Sequence, residues 1–410
     1  MTSQPSRRRP LRIVVGATTY PPHVNGAANF GHRLATGLSA RGHEVHVVCH
    51  SDTREPRTEV EDGVLVHRVG SYSSPFHPSI RGLMPWQARQ ADALLEEIQP
   101  DVVHVQSHFF ICRGLIDSAR KRGIGVVATN HFMPENIFGY FKIPPFLQNA
   151  AGRLLWHNLV KHYRKAQMVT APTPRAVQLL QDNGFDRTAL PVSCGIDVDR
   201  YRRPAARYRE QNPDPETRTV LFVGRLDEEK HIDDLLRAMS LLRTEVQTRL
   251  EIVGNGARRE AFEQLADDLG IADRVHFHGF LSDEELLEAY ARADLFCMPS
   301  IAELQSLATM EAMSAATPVV LANAMALPHL CRPGENGWLY PPRDVHALAG
   351  AIGDVLADRA TIDRMGQASQ RLVSRHDIDQ VLGRFESLYH HVIDPDSAVE
   401  LDEISTELAS

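Results

Sequence analysis

Short apolar runs alternate with amphipathic stretches along nearly the whole chain. In the first half the runs fall at residues 11–19, 44–51, 64–69, 101–107, 125–131 and 168–173, and in the second at 220–225, 250–254, 275–280, 295–300 and 318–323. Most carry Val, Ile, Leu or Phe at consecutive positions, so both faces of a strand would be buried, as in a parallel sheet covered by helices. Helical patterns separate most of them, and the alternation predicts an α/β protein with parallel, doubly wound sheets. The pattern breaks over residues 190–219. There the turn LPVSCGID is followed by the polar, Pro-rich stretch RPAARYREQNPDPETR at 203–218, which reads as a linker before the strand VLFVGR restarts the alternation. The chain is therefore expected to hold two Rossmann-like domains in series, 1–196 and 197–376, then a helix at 377–393 and an acidic, poorly patterned, disordered tail at 394–410.

Composition agrees with two domains: 410 residues, 43% hydrophobic and 23% charged, suffice for a sizeable core in each. No run approaches the roughly 20 apolar residues of a spanning helix. The basic start MTSQPSRRRP passes directly into a strand pattern without the apolar region of a leader, so a cytoplasmic protein is expected. Cys49, Cys112, Cys194, Cys297 and Cys331 form no CxxC pair, which argues against a disulfide framework or a structural zinc site. The net charge of −8 conceals an asymmetry. Residues 1–196 hold 22 Lys+Arg against 14 Asp+Glu, a net of +8, and residues 197–410 hold 22 against 38, a net of −16. A basic half joined to an acidic one can present a single face to an anionic surface.

In open α/β sheets ligands bind beyond the carboxyl ends of the strands, and two such domains facing each other would place a site in the cleft between them. The candidate chemistry is read at those ends. Glu303-Leu-Gln-Ser-Leu-Ala-Thr-Met-Glu311 follows one strand and opens a helix. The amides near Ser306 and Leu307 would form a helix N-terminus suited to a phosphate, with a carboxylate on either side for sugar hydroxyls. A solvated Glu303 and a helix-surface Glu311 are the alternative. Gly224-Arg225-Leu-Asp-Glu-Glu-Lys230 ends the first strand of the second domain and offers a planar fork and a point charge to a diphosphate; Arg225 and Lys230 paired to their acidic neighbours are the alternative. Gly254-Asn-Gly256 follows the next strand, either for close approach to a ligand or as an ordinary turn. In the first domain Asn25-Gly26 stands at a helix start, where Gly26 allows approach to a phosphate, and His131 ends a strand, where an imidazole can handle a proton. No GxGxxG occurs, so nicotinamide and flavin binding are unsupported. Asp197-Val-Asp199 fits turn capping better than metal binding, and no His/Cys/Asp cluster has metal-ligand spacing.

Taken together and in this order, Pro21-Pro22…Asn25-Gly26, His131, Gly195-Ile-Asp197, Gly224-Arg225…Lys230, Gly254-Asn-Gly256, His278-Gly279-Phe280, Glu303…Glu311 and Asn336-Gly337 resemble the family 4 retaining glycosyltransferases of the GT-B fold over about residues 11–390. The resemblance implies two Rossmann-like domains facing across a cleft that closes by hinge motion, with the last helix returning to the first domain. It implies that Arg225 and Lys230 hold the donor diphosphate, Glu311 the nucleotide ribose and Glu303 the sugar hydroxyls. The Ser306 and Leu307 backbone would touch phosphate or sugar, Phe280 would lie by the base, Gly254 and Asn25-Gly26 would border the donor, and His131 would sit at the reacting sugar. It implies no metal or other cofactor and no nucleic acid. Two positions depart from the common pattern: Ser306 and His231 stand where Gly is frequent. The Glu-x-Gln-x-Leu form is closer to UDP-sugar users than to GDP-mannose users.

The acceptor is expected to be chosen by the first domain. Residues 137–165 combine Phe138, Tyr140, Phe141, Phe146, Leu154, Leu155 and Trp156 with Lys142, Arg153, Lys161, Arg164 and Lys165. That mixture suits the surface of an anionic membrane, although a core-facing helix with a solvated basic face would read the same way. The segment is similar to family members that glycosylate diacylglycerol or phosphatidylinositol in bacteria. The expected reaction is hexose transfer from UDP-glucose to a membrane lipid such as diacylglycerol, by an enzyme in the cytoplasm, peripheral on the inner face of the membrane. GDP-mannose-dependent α-mannosyl transfer and a small soluble acceptor remain open within the same class. A UDP-sugar 2-epimerase or a non-catalytic nucleotide-sugar-binding protein fits the donor residues less well.

Overall fold

The computed structural model describes residues 9–23, 25–72, 87–134, 143–212, 217–242 and 247–395, with the backbone alone for Gln87 and Pro145. The tail beyond 395, the aromatic positions 138, 140 and 141 and the basic position 142 lie outside the described residues. Contacts divide the chain into two compact units. One holds the described residues up to Ser193 together with those from Val381 onward, and the other is Cys194–Gln380.

The first unit is a sheet of eight strands: β1 (Arg12–Gly16), β2 (Glu44–His50), β3 (Arg57–Glu61), β4 (Val64–Val69), β5 (Val102–Val105), β6 (Gly125–Thr129), β7 (Met168–Ala171) and β8 (Ala189–Pro191). Their order is β3-β4-β2-β1-β5-β6-β7-β8, and every pairing is parallel except β3 with β4. Its helices are α1 (Gly26–Ala40), α2 (Gln87–Ile98), α3 (Phe110–Lys121), α4 (Pro145–Tyr163) and α5 (Pro174–Asp182). Ile13 lies in register with Val45 on one side and Val102 on the other, so β1 is central, and its apolar residues Ile13, Val14 and Val15 are fully buried, while Arg12 at its start is partly exposed.

The second unit opens with α6 (Val198–Gln211) and continues through β9 (Thr217–Val223), α7 (Ile232–Leu241), β10 (Gln247–Val253), α8 (Arg259–Asp268), β11 (Val275–Gly279), α9 (Asp283–Arg292), β12 (Leu295–Met298), α10 (Leu307–Ser314), β13 (Val319–Ala322), β14 (Gly337–Tyr340), α11 (Val345–Leu356) and α12 (Arg359–Val373). Its sheet is parallel throughout, in the order β11-β10-β9-β12-β13-β14. The last helix, α13 (Ile378–Ile393), runs into the first unit, where Phe385 and Tyr389 pack on the buried ring of His104.

All eleven apolar runs become strands. Three further strands escape the pattern. β3 is an edge strand of alternating burial with the polar sequence RTEVE, and β8 and β14 span only three and four residues. The expected linker is corrected as well. The Asp197 side chain caps α6 by accepting from the Arg200 amide at 3.0 Å, and Val198, Tyr201 and Ala205 bury one face, so the first part of the polar stretch is helix with Pro204 inside it. Tyr201 meets Tyr290 of α9 edge-on at 5.4 Å. That contact supplies the tertiary packing that overrides proline's low helix propensity.

Candidate functional site

The strand order of the second unit reverses between β9 and β12, so the loops leaving these two neighbouring strands lie side by side at the carboxyl edge of the sheet, where open α/β sheets bind their ligands. Gly224–Lys230 leaves β9 and the segment with Glu303 leaves β12. The two loops are laced together: the Ile301 amide donates to the Glu229 carbonyl at 3.1 Å and the Ser300 hydroxyl to the same oxygen at 3.4 Å. This lacing brings Lys230 Nζ to 2.5 Å from Glu303 Oε1, with side chains only 12% and 13% exposed. The ammonium and carboxylate sit seventy-three positions apart in the chain, and only the sheet order makes them neighbours.

Arg225 stands at the rim. Its guanidinium pairs with Asp227 and, at 2.8 Å, with Glu229, as its acidic surroundings in the sequence allow. The backbone that carries it is fixed by the two nearby glycines. Gly224 N donates to the Val253 carbonyl and Leu226 N to the Asn255 carbonyl, each at 3.0 Å. Gly254 has a φ of +126°, and a Cβ there would lie 1.9 Å from the Gly224 oxygen. The close approach at Gly254 is thus to the Arg225 loop itself, which is the structural demand for glycine at this position.

The Ser306 side chain caps α10, accepting from the Thr309 amide at 3.3 Å and from the Thr309 hydroxyl at 2.7 Å. Its φ of −93° needs no glycine, so the departure from the common pattern leaves the loop unstrained. Leu307 opens the helix, whose first amides lack intrahelical acceptors. Glu311 lies on the helix itself. Tyr290 donates its hydroxyl to Glu311 Oε2 at 2.6 Å, which fixes the carboxylate and leaves Oε1 for another donor; burial pushes the Tyr290 phenol far above its ordinary range. The sequence reading missed Tyr290, which looks like any core aromatic until the fold sets it beside Glu311. It also missed Gln305, whose Oε1 accepts from the Cys194 amide at 2.8 Å and pins the loop. Phe280 follows β11 with 77% of its surface exposed.

His231, beside Lys230, has a left-handed φ of +47°, which explains why glycine suits this position. Its Nδ1 lies 2.8 Å from Nη1 of Arg343, another residue with positive φ, and that guanidinium nitrogen lies 3.3 Å from Asp233 and 3.0 Å from Asp234. His231, Asp233 and Asp234 hold their ligand atoms within 4.8 Å of one another, a grouping the sequence spacing did not reveal. A guanidinium already bridges the three.

In the first unit the reversal falls between β1 and β5. Asn25 caps α1, its Oδ1 accepting from the Ala28 amide at 2.9 Å, and Gly26 is the first helical residue. His131 follows β6 with its ring 4.7 Å from that of Phe30, and burial pushes its pKa down to about 4. His104 bridges Tyr389 and Thr129 at 2.7 Å each and is held near 3 by burial. Asp197 caps α6 and Asp199 pairs with Arg202 and Arg203, so each member of the DxD sequence has a helix-terminal role. All five cysteines are buried, and none forms a disulfide. Among the described residues no helix is long and apolar enough to cross a membrane.

Comparison with known proteins agrees with this architecture. Residues 24–200 match the family described as Glycosyltransferase Family 4, and residues 205–372 match Glycosyl transferases group 1. A GDP-mannose-dependent alpha-mannosyltransferase of Mycobacterium tuberculosis is 29% identical over 391 residues, covering 92% of this chain and 97% of that protein. The structure of sucrose-phosphate synthase from Thermosynechococcus elongatus superposes with a TM-score of 0.79 at 22% identity, covering 94% of this chain and all of that one. Anabaena HepE in complex with UDP-glucose gives a TM-score of 0.72 at 18% identity, over 92% of this chain and 99% of that one. With its two halves matched in order and its fold shared along nearly the whole length, the chain belongs to the family 4 glycosyltransferases of the GT-B fold.

Proposed function

We propose that the chain transfers glucose from UDP-glucose to a hydroxyl of a membrane lipid such as diacylglycerol, with retention of anomeric configuration. The observation that carries the donor half is the Lys230–Glu303 pair beside the start of α10, with Glu311 positioned by Tyr290 on the same helix. In this reading Lys230 and Arg225 take the diphosphate and stabilise its charge as the bond from the sugar C1 to phosphate breaks. The Ser306 and Leu307 amides add the positive end of the helix. Glu311 binds the ribose, Glu303 the sugar hydroxyls, and Phe280 lies by the base. The acceptor oxygen bonds to C1 on the face the phosphate leaves, and its proton passes to the departing phosphate oxygen. His131 is assigned to the reacting sugar and acceptor, and Gly26 to the donor phosphate. No metal takes part, because the two cations and the helix end supply the electrostatics.

The acceptor half rests on the basic balance of residues 1–196 and on α4, whose surface carries both apolar and cationic side chains. It implies a protein of the cytoplasm, peripheral on the membrane. A second reading, α-mannosyl transfer from GDP-mannose, is favoured by the mycobacterial mannosyltransferase that matches nearly end to end. Purified protein incubated with UDP-glucose or GDP-mannose and either detergent-dispersed diacylglycerol or soluble acceptors decides between them. Glucosylated lipid is expected; mannosylated product selects the second reading, and turnover of neither donor refutes both. Within the reading, Glu311→Ala is expected to weaken donor binding and Glu303→Ala to lower turnover.

A further inference from the structure

Strand β6 leads into His131, and its last residue is tied to a helix from the far end of the chain. His104 of β5 and Tyr389 of α13, 285 positions apart, meet at 2.7 Å through the imidazole Nδ1 and the phenol. The other ring nitrogen, Nε2, lies 2.7 Å from the Thr129 hydroxyl, which in turn lies 2.6 Å from that of Thr170 on β7. All four side chains are buried. The Tyr389 phenol has no second partner among the described residues, so its proton points to Nδ1, Nε2–H donates to Thr129, and Thr129 donates to Thr170. That order suits a histidine kept neutral by burial. Tyr163 donates to the Thr129 carbonyl at 3.1 Å, the Asn130 amide to the Thr170 carbonyl at 2.8 Å, and the Phe132 amide to Asn130 Oδ1 at 3.1 Å. The backbone on both sides of His131 is thus fixed.

The imidazole is set from the same helix. The Phe30 ring of α1 lies 4.7 Å from that of His131, 5.7 Å from that of Phe385 on α13 and 6.4 Å from that of His104, and Phe385 lies 5.1 Å from His104. Phe30 and Phe385 are fully buried in close packing, so Phe30 cannot turn from His131 unless Phe385 also moves. Apolar side chains alone would fill this core; a fully satisfied buried polar chain adds one fixed arrangement. Its place is the strand end that carries His131. We propose that Tyr389 and Phe385 of α13 are positioning residues for the transfer reaction, Tyr389 acting on His131 through His104 and Thr129, and Phe385 through Phe30. The inference rests on the reading of His131 at the reacting sugar and acceptor. A separate contact holds the helix in place: Glu386 accepts from Arg41 at 2.8 Å and lies 3.0 Å from His43 Nε2, in the turn before β2.

The test compares Tyr389→Phe and Phe385→Leu, which keep apolar packing, with Glu386→Gln, which loosens α13 at the other contact. Transfer from UDP-glucose or GDP-mannose is measured well below the Tm of each full-length chain, and affinity for the matching nucleoside diphosphate by calorimetry. Tyr389→Phe and Phe385→Leu are expected to lower kcat about tenfold to a hundredfold, the size of effect that a misplacement of about 1 Å produces, with nucleotide affinity unchanged. Glu386→Gln is expected to lower Tm and leave kcat as it is. In a His131→Asn background Tyr389→Phe is expected to cause no further loss, because its effect passes through that side chain. NMR spectra of isotopically labelled histidine give a readout independent of turnover. The His131 signal, assigned by its disappearance in His131→Asn, is expected to move in Tyr389→Phe and Phe385→Leu and to stay in Glu386→Gln. Native kcat in both α13 variants, an equal loss in the His131→Asn background, an unmoved His131 signal, or a matching loss of kcat in Glu386→Gln overturns the proposal. A His131→Asn chain with native kcat refutes the role of His131 and the proposal with it. An impaired His131→Asn chain beside unimpaired Tyr389→Phe and Phe385→Leu chains refutes the positioning alone and leaves the reading of His131 standing.

Discussion

The Lys230–Glu303 pair permits a prediction whose size follows from the structure. Both side chains are nearly seven-eighths buried and touch at 2.5 Å. Removing one partner of a buried pair leaves the other charge poorly solvated, which costs about 3–5 kcal/mol, whereas replacing both by uncharged groups is close to neutral. Residual exposure puts this pair at the lower end. Lys230→Met is therefore expected to destabilise by about 3 kcal/mol, and Glu303→Gln by about 2, since the amide oxygen still accepts from the ammonium. The double variant is expected to lose less than about 1 kcal/mol, a coupling of about 4. For a unit of this size each kcal/mol moves Tm by about 2–4 °C, so Lys230→Met should melt roughly 6–12 °C lower and the double variant within a few degrees of the native chain. Thermal melts of the four proteins, each with and without UDP, form the assay. Additive losses would refute the pairing argument. A Lys230→Met chain stabilised by UDP as much as the native chain would refute diphosphate binding by Lys230, because at a fixed ligand concentration the stabilisation rises with the logarithm of the affinity.

Three further outcomes are expected. Tyr290→Phe removes the 2.6 Å hydrogen bond to Glu311 and should cost about 2 kcal/mol, the range for a bond to a charged group, while raising the donor KM more than it lowers kcat; a KM unchanged by the substitution would detach Glu311 from donor binding. Burial holds His104 and His108 near 3 and His131 near 4, below the ordinary 6.5. Each group favours the folded chain fully above about pH 6.5, and this stability is lost as pH falls towards the folded values, at about 1.4 kcal/mol per pH unit and histidine. Acid titration of unfolding should therefore steepen below pH 6, and His104→Gln should reduce the slope; a slope unaffected by that change would contradict the burial argument. His231→Gly relieves the left-handed strain and gives up a hydrogen bond to a half-exposed Arg343, so stability should change by less than about 1 kcal/mol, whereas His231→Val should lose more than that, both read from urea midpoints.

The apolar runs were legible because a strand buried on both faces has little choice of residue, and Val, Ile, Leu and Phe at consecutive positions report that burial directly. β3 was not legible, since an edge strand with one partner and a solvated face can be as polar as a loop. The helix through Pro204 was not legible either, because the packing of Tyr201 on Tyr290 lies outside the local sequence. At the site, Arg225 with its acidic neighbours, the cap at Ser306 and the glycine at 254 could be named from short windows. Short-range chemistry determines the first two, an ion pair two or four residues away and a hydroxyl three residues before an amide, whereas the glycine at 254 is visible locally as a turn residue but is demanded by the Gly224 carbonyl thirty residues away.

The sequence by itself thus determined eleven of the fourteen strands described, where the loops that carry the chemistry begin, and which charged residues they offer. Only the tertiary structure decided which of those residues meet. Lys230 reaches Glu303 and Tyr290 reaches Glu311 because β9 and β12 are neighbours at the reversal of the strand order, and a side chain's partners across a sheet depend on strand order and register, which no local pattern encodes. The same holds for α4. Its mixture of aromatic and basic residues was plain in the sequence, but which of them pack inward and which face water was settled by the helix's rotation against the sheet, set by the burial of Trp156, Leu159, Val160 and Tyr163.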